Sequence, residues 1–132
     1  MKFFTIAELC KSTTADRLGI NNRCRQEHVT ALTALVDNVL DPLRTWWGKP
    51  ITVNSGYRCP ELNAAVKGSK ASQHRKGEAA DIDTGDRQQN KLLFEYIRKN
   101  LPYDQLIDES NFAWVHVSYR ADGDNRKQVL KL

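Results

Sequence analysis

No apolar run in this chain approaches the length of a membrane-spanning helix. The opening Met-Lys-Phe-Phe-Thr-Ile-Ala-Glu-Leu-Cys has the look of an export leader, but Glu8 interrupts its apolar run and no small-residue cleavage site follows. The expectation is therefore no signal peptide and a cytoplasmic location in the producing cell. Cys10, Cys24 and Cys59 are an odd number with no Cys-x-x-Cys spacing, which argues against a disulfide framework and a thiolate metal site. Reduced, partly buried thiols are the expectation. Repeats, low-complexity tracts and linkers are absent, so the 132 residues read as one domain, 1–132, large enough for a real hydrophobic core. The 40% hydrophobic and 27% charged content is ordinary for a globular protein.

Positive charge is in modest excess. A net charge of +4 and a pI near 9.1 favour polyanionic partners, nucleic acid or an anionic cell wall, although a solvated basic surface accounts for the same balance. The aromatic residues are not interleaved with the basic ones as a base-stacking platform requires, so nucleic acid is not the expected partner. Nor is a membrane, and the chain reads as a monomer.

Along the chain, Thr5-x-x-Glu8 is a capping-box pattern that starts a short helix. The polar stretch Lys11 to Arg25 reads as a surface loop. From Gln26 to Trp47, Val29, Leu32, Leu35, Val36, Val39, Leu40 and Leu43 recur at helical spacing, with Pro42 expected to kink or divide the helix. Ile51 to Asn54 reads as a strand, Pro60 to Lys67 as a helix, and Gly68 to Lys76 as a basic loop. Asp86 to Asn100 is a second amphipathic helix. Gln105 to Asp108 and Trp114 to Tyr119 read as a hairpin, and the tail from Ala121 is open between an edge strand and a mobile end.

Chemistry concentrates in Ser72 to Asp81, Ser-Gln-His-Arg-Lys-Gly-Glu-Ala-Ala-Asp. On one helix, His74 and Asp81 would lie roughly 10 Å apart along the axis. That is too far for a zinc ion, whose ligand atoms stand about 2 Å away. The pair can share an ion only if the chain doubles back, and Gly77 suits that turn. Ala79 to Asp83 then alternates small or apolar residues with acids, as a short strand does. A third ligand is then needed from elsewhere, and the chain has only two other histidines. His28, at the start of the long helix, reads as a surface residue. His116 lies in Trp-Val-His-Val-Ser-Tyr, a strand by composition, on the face shared by Trp114 and Ser118.

Ser72-x-His74-x-x-Gly77-x-Ala79-x-Asp81 followed by a strand histidine resembles the zinc site of the D-alanyl-D-alanine carboxypeptidase and endolysin family of peptidoglycan peptidases, with the Hedgehog/DD-peptidase fold. Val53-Asn-Ser-Gly-Tyr-Arg-Cys-Pro60 and Asp104-Gln105-Leu106-Ile107 resemble the small single-domain branch of that family, so the likeness covers most of the chain. The resemblance implies an α+β fold: a small, mainly antiparallel sheet with helices packed on one side and a zinc cleft on the other. It also implies zinc held by His74, Asp81 and His116, and hydrolysis of a peptide bond in peptidoglycan stem peptides by a carboxypeptidase or an endopeptidase. Three such ligands leave zinc a position at which water is activated. Arg58, in Ser-Gly-Tyr-Arg, would hold the substrate carboxylate through a two-pronged hydrogen bond that lysine cannot reproduce. Tyr57, Ser72 and Gln73 are further substrate-binding candidates, with local backbone bonding the competing role for Ser72. If the chain is phage-encoded, its passage to the wall depends on another protein.

The catalytic base is where this chain departs from the better-known branches, whose acid stands three places before the last histidine. Here that position is Ala113. If Ser110 to Ala113 form a four-residue hairpin loop, Glu109 pairs with Trp114 and Ile107 with His116, which leans Glu109 toward the metal and turns Asp108 away. A one-residue slip would exchange the two acids. Glu109 is the candidate base, and Asp83, on the face of Asp81, is a candidate for orienting a ligand. Ala113 also motivates an alternative: a zinc-stabilised wall-binding or phage-assembly module that kept its ligands and lost its base.

Overall fold

The computed structural model describes residues 1–132. Helix α1 (Ile6–Cys10) begins where the capping pattern places it, with the Thr5 hydroxyl accepting from the Glu8 amide at 3.1 Å. The following stretch is not wholly the loop its polarity predicts, because Thr13–Leu18 winds into a second short helix, α2. Ser12 caps it by accepting from the Ala15 amide, and Gly19 ends it in the left-handed conformation. Local capping here outweighs polar composition.

The same stretch corrects the cysteine expectation. Cys10 and Cys24 form a disulfide, and Cys59 alone is free. Spacing rules recognise frameworks of several bridges, whereas this is one bond between a helix end and a loop. Closing a loop with a sequence separation of 14 restricts the unfolded chain by about 3 kcal/mol. Cys24→Ser should accordingly lower the unfolding free energy by about 2–3 kcal/mol in denaturant titration. An unchanged midpoint would show that the bridge carries no stability.

The long apolar periodicity becomes three consecutive segments: α3 (Gln26–Leu35), a π-helical turn (Val36–Leu40) and α4 (Asp41–Trp47). The wide turn lies immediately before Pro42, which has no amide to donate and crowds the carbonyl four residues back, so the irregularity the sequence predicts is a widened turn. Leu32, Leu35, Val36, Val39, Leu40 and Leu43 are all buried.

The remaining elements are β1 (Thr52–Ser55), α5 (Pro60–Ala65), a 3-10 turn (Gln73–Lys76), β2 (Ala79–Asp83), α6 (Arg87–Asn100), β3 (Gln105–Glu109), β4 (Trp114–Ser118) and β5 (Gln128–Lys131). The sheet runs β1-β2-β4-β3-β5. Its pairs are antiparallel except β3 with β5, so the tail forms a parallel edge strand and the sheet is mixed. Free Cys59 has a local use: its sulfur accepts from the Leu62 amide and caps α5.

Alternation divides the sheet into two faces. Ala80, Ile82, Leu106, Val115 and Val117 join the helical Leu32, Leu35, Val39, Leu43, Leu93 and Ile97 in one core cluster. The residues between them point the other way, and the register sets Ser55, Asp81, His116 and Ile107 in one row across four strands. That row is the foundation of the site. No helix is long and apolar enough to cross a membrane.

Candidate metal centre

Asp81 and His116 are directly paired across β2 and β4, which places their side chains as neighbours on the open face. His74 reaches the same point from the 3-10 turn. Gly77 ends that turn at φ +76°, and a Cβ there would lie 2.8 Å from the His28 carbonyl oxygen, so both the reversal and the close passage require glycine. The doubling back that one shared ion demands is therefore present.

The three side chains offer ligand atoms that all lie within 4.8 Å of one another. His74 Nε2 stands 3.3 Å and His116 Nδ1 3.1 Å from the same oxygen, Oδ1 of Asp81. Ligand atoms about 2.0–2.1 Å from a tetrahedral zinc are separated from each other by about 3.4 Å, so this spacing fits a shared ion. The tautomer of His74 sharpens the point. Its Nδ1 donates to the Gly56 carbonyl at 2.7 Å, which leaves Nε2 with a lone pair aimed at a carboxylate oxygen. Two such groups face each other stably only with a cation or proton between them. His116 Nε2 is buried without a partner. Burial alone would raise the Asp81 pKa, but the His116 and His74 rings that face its carboxylate outweigh it and hold the carboxyl well below the ordinary range. The donor set thus fits zinc.

Glu109 pairs with Trp114 and Ile107 with His116, as the four-residue loop requires. The loop itself is costly: Ser110, Asn111 and Phe112 take φ of 51°, 55° and 61° in succession, a region that non-glycine residues rarely occupy. Several bonds hold it there. Asp108 accepts from the Phe112 amide at 2.6 Å, Arg87 donates to the Ser110 and Asn111 carbonyls, and buried Asn90 donates to those of Phe112 and Ala113. Asp108 is thereby a structural acid. Glu109 stays half-buried with no hydrogen-bond or ion-pair partner, and burial first, then the Asp81 charge, pushes its pKa up.

Arg58 completes the group. Its amide donates to the His74 carbonyl at 3.0 Å, and its guanidinium feels the Asp81 and Glu109 carboxylates. Burial lowers its pKa, and those two charges act in the opposite direction. Nε of Arg58 and Nε1 of Trp114 are both buried without partners. Unspent buried donors are rare in folded proteins.

The other candidates are placed differently. The Ser72 hydroxyl accepts from the His74 amide, the local role that competed with substrate binding. Gln73 donates to Asp104 at 2.9 Å and to Glu78 at 3.3 Å, so its side chain ties the turn to the start of β3. Tyr57 is buried and stacks on His28, with ring centroids 4.1 Å apart. This corrects the reading of His28 as a surface residue: it is half-buried, and its Nδ1 accepts from the Arg25 amide. Asp83 does not orient a ligand either, since its Oδ1 accepts from Gly85 and Asn90 at 2.8 Å each.

Sequence reasoning missed one support and gave another, Asp104, no role beyond its place in a family motif. Asn90, 1% exposed, links the end of β2 to the hairpin loop through its bonds to Asp83, Thr84, Phe112 and Ala113. Asp104, fully buried, accepts from Gln73 and from both the amide and guanidinium of Arg126, with burial raising its pKa less than Arg126 lowers it. A polar residue inside an apolar helix face is a usable signal for the first. The second needs the fold.

Residues 2–118 match the family model described as Peptidase M15. The chain is also similar to the zinc D-Ala-D-Ala carboxypeptidase of Streptomyces albus G, with 30% identity over 115 residues covering 80% of this chain and 44% of that protein. It therefore spans less than half the length of that relative.

Proposed function

This chain belongs to the peptidase M15 family, and we propose that it is a zinc peptidase that hydrolyses a peptide bond in peptidoglycan stem peptides. One observation carries the reading: His74 Nε2 and His116 Nδ1 converge on one oxygen of Asp81, with Glu109 and Arg58 close enough to act on that carboxylate electrostatically.

His74, Asp81 and His116 would hold zinc, which when bound supplies a Lewis acid for the scissile carbonyl and makes water a stronger acid. Glu109 takes a proton from the attacking water on its carboxylate and returns it to the nitrogen of the departing amine as the C–N bond breaks. Its freedom from other partners favours that role, and its raised pKa favours carrying the proton between the two steps. Arg58 binds a substrate carboxylate or carbonyl with its unspent Nε–H. Trp114 Nε1 offers a second unused donor on the same side. The Cys10–Cys24 bond favours action in an oxidising compartment, after passage out of the cell that makes the protein.

Ala113 favours the alternative of a wall-binding or assembly module that lacks a base. Against it, the Glu109 carboxylate is close enough to Asp81, His116 and His74 to feel their charges, so an acid still stands at the site.

A stem peptide ending in D-Ala-D-Ala, offered as the free acid and as the C-terminal amide, tests the reading. A carboxypeptidase should cut the acid at least about tenfold faster, and Arg58→Lys should raise KM for the acid alone, because one ammonium cannot replace the fork. Equal internal cleavage of both would make the enzyme an endopeptidase. No cleavage of either by zinc-loaded protein would contradict the proposal.

A further inference from the structure

The excess positive charge of this protein is gathered in one place. A cavity of about 840 Å³ is lined by Arg23, Arg25, Lys70, Arg75 and Lys76, with Glu27 its one acid. Five of the 20 basic residues and one of the 16 acids are there, leaving fifteen of each elsewhere, so the net charge of +4 is the charge of this cavity. None of the five is in an ion pair, although Arg98, Arg120 and Arg126 elsewhere are. Gathering unpaired cations around a concave wall costs self-repulsion and focuses a field that draws anions. Arg75 Nε is buried there with no partner, a donor left for a ligand.

The cavity adjoins the metal centre through the chain itself. Tyr57 and Cys59, on either side of Arg58, both line it, as do Ser72, Arg75 and Lys76, which bracket His74. The two loops that bring Arg58 and His74 to the site thus present their neighbouring residues to the basic cavity. The form of the cavity selects among anions. Nucleic acid asks for an extended basic stripe with open rings for stacking. Here the charges ring a concavity, and the Tyr57 ring is already covered by His28.

We infer that this cavity binds a second anionic part of the substrate, the carboxylates of an acidic peptide flank, and so selects stem peptides with free internal carboxylates over amidated ones. The inference rests on the peptidase reading and deepens it.

The test uses two synthetic stem peptides of one sequence, with internal carboxylates free in one and amidated in the other. They are compared on zinc-loaded wild type and on Arg23→Glu/Lys70→Glu, two exposed sites away from the metal ligands. Wild type should prefer the acidic peptide by about tenfold or more in kcat/KM at low salt, and the preference should shrink as salt rises. The double charge reversal should bring the ratio close to one, while Arg23→Lys/Lys70→Arg keeps it. A preference that survives the charge reversal in a protein with an unchanged melting curve would overturn the inference. If neither peptide is cut, the peptidase reading fails, and calorimetric binding decides alone. Tighter binding of the acidic peptide that is lost on charge reversal supports the cavity. Equal binding of the two peptides, or tighter binding of a poly(glycerol phosphate) chain or short duplex DNA, overturns it.

Discussion

Glu109→Gln should lower kcat by about 10²–10⁴-fold and leave zinc bound. The amide has the shape of the carboxylate but cannot take a proton from water. The backbone pairing with Trp114 places this side chain whatever its charge, so the loss would be chemical. No neighbour can substitute. Asp108 is committed to the Phe112 amide and lies on the opposite face of β3, while the Asp81 oxygen is shared by two imidazoles. Asp108→Asn should therefore act on the stability of the hairpin more than on turnover. Wild-type rates in Glu109→Gln would reassign the base.

His116→Ala should cost metal and turnover together. It removes one of three donors, and the fall in metal affinity should exceed the roughly 10–100-fold that loss of a supporting second partner costs. The fold should persist, because Val115 and Val117 carry the core contacts of β4 and the His116 side chain faces away from them. Metal analysis after dialysis and a melting curve separate the two effects. Full metal occupancy in the variant would remove His116 from the ligand set.

These two residues illustrate what sequence order makes legible. Glu109 follows from a loop count: four residues between the strands leave one register, and that register chooses between adjacent acids. The ligand set of His74, Asp81 and His116 comes from the family resemblance, and the two-residue period of the strands and the glycine that turns the chain back show how the three can meet. Register, period and turn each depend on backbone geometry over a few residues. What stayed hidden depends on partners distant in sequence. Gln73 has the composition of a substrate contact, but its side chain is taken by Asp104, 31 residues on. Asp83 has the right face of β2, yet Asn90 of α6 claims it. Cys10 and Cys24 pair because α1 and the segment before α3 are brought together in space, which an odd count of cysteines does not reveal. Likewise the basic residues look scattered until Arg23 and Arg25 meet Lys70, Arg75 and Lys76 across a cavity.

The most direct measurement takes zinc content and stem-peptide hydrolysis, with products read by mass, on the same preparations of wild type, His116→Ala and Glu109→Gln. The predicted pattern is zinc in wild type and Glu109→Gln, a defined cleavage product from wild type alone, and neither zinc nor product in His116→Ala. Cleavage by metal-free protein, or zinc-loaded wild type that cuts no stem peptide, would contradict the account.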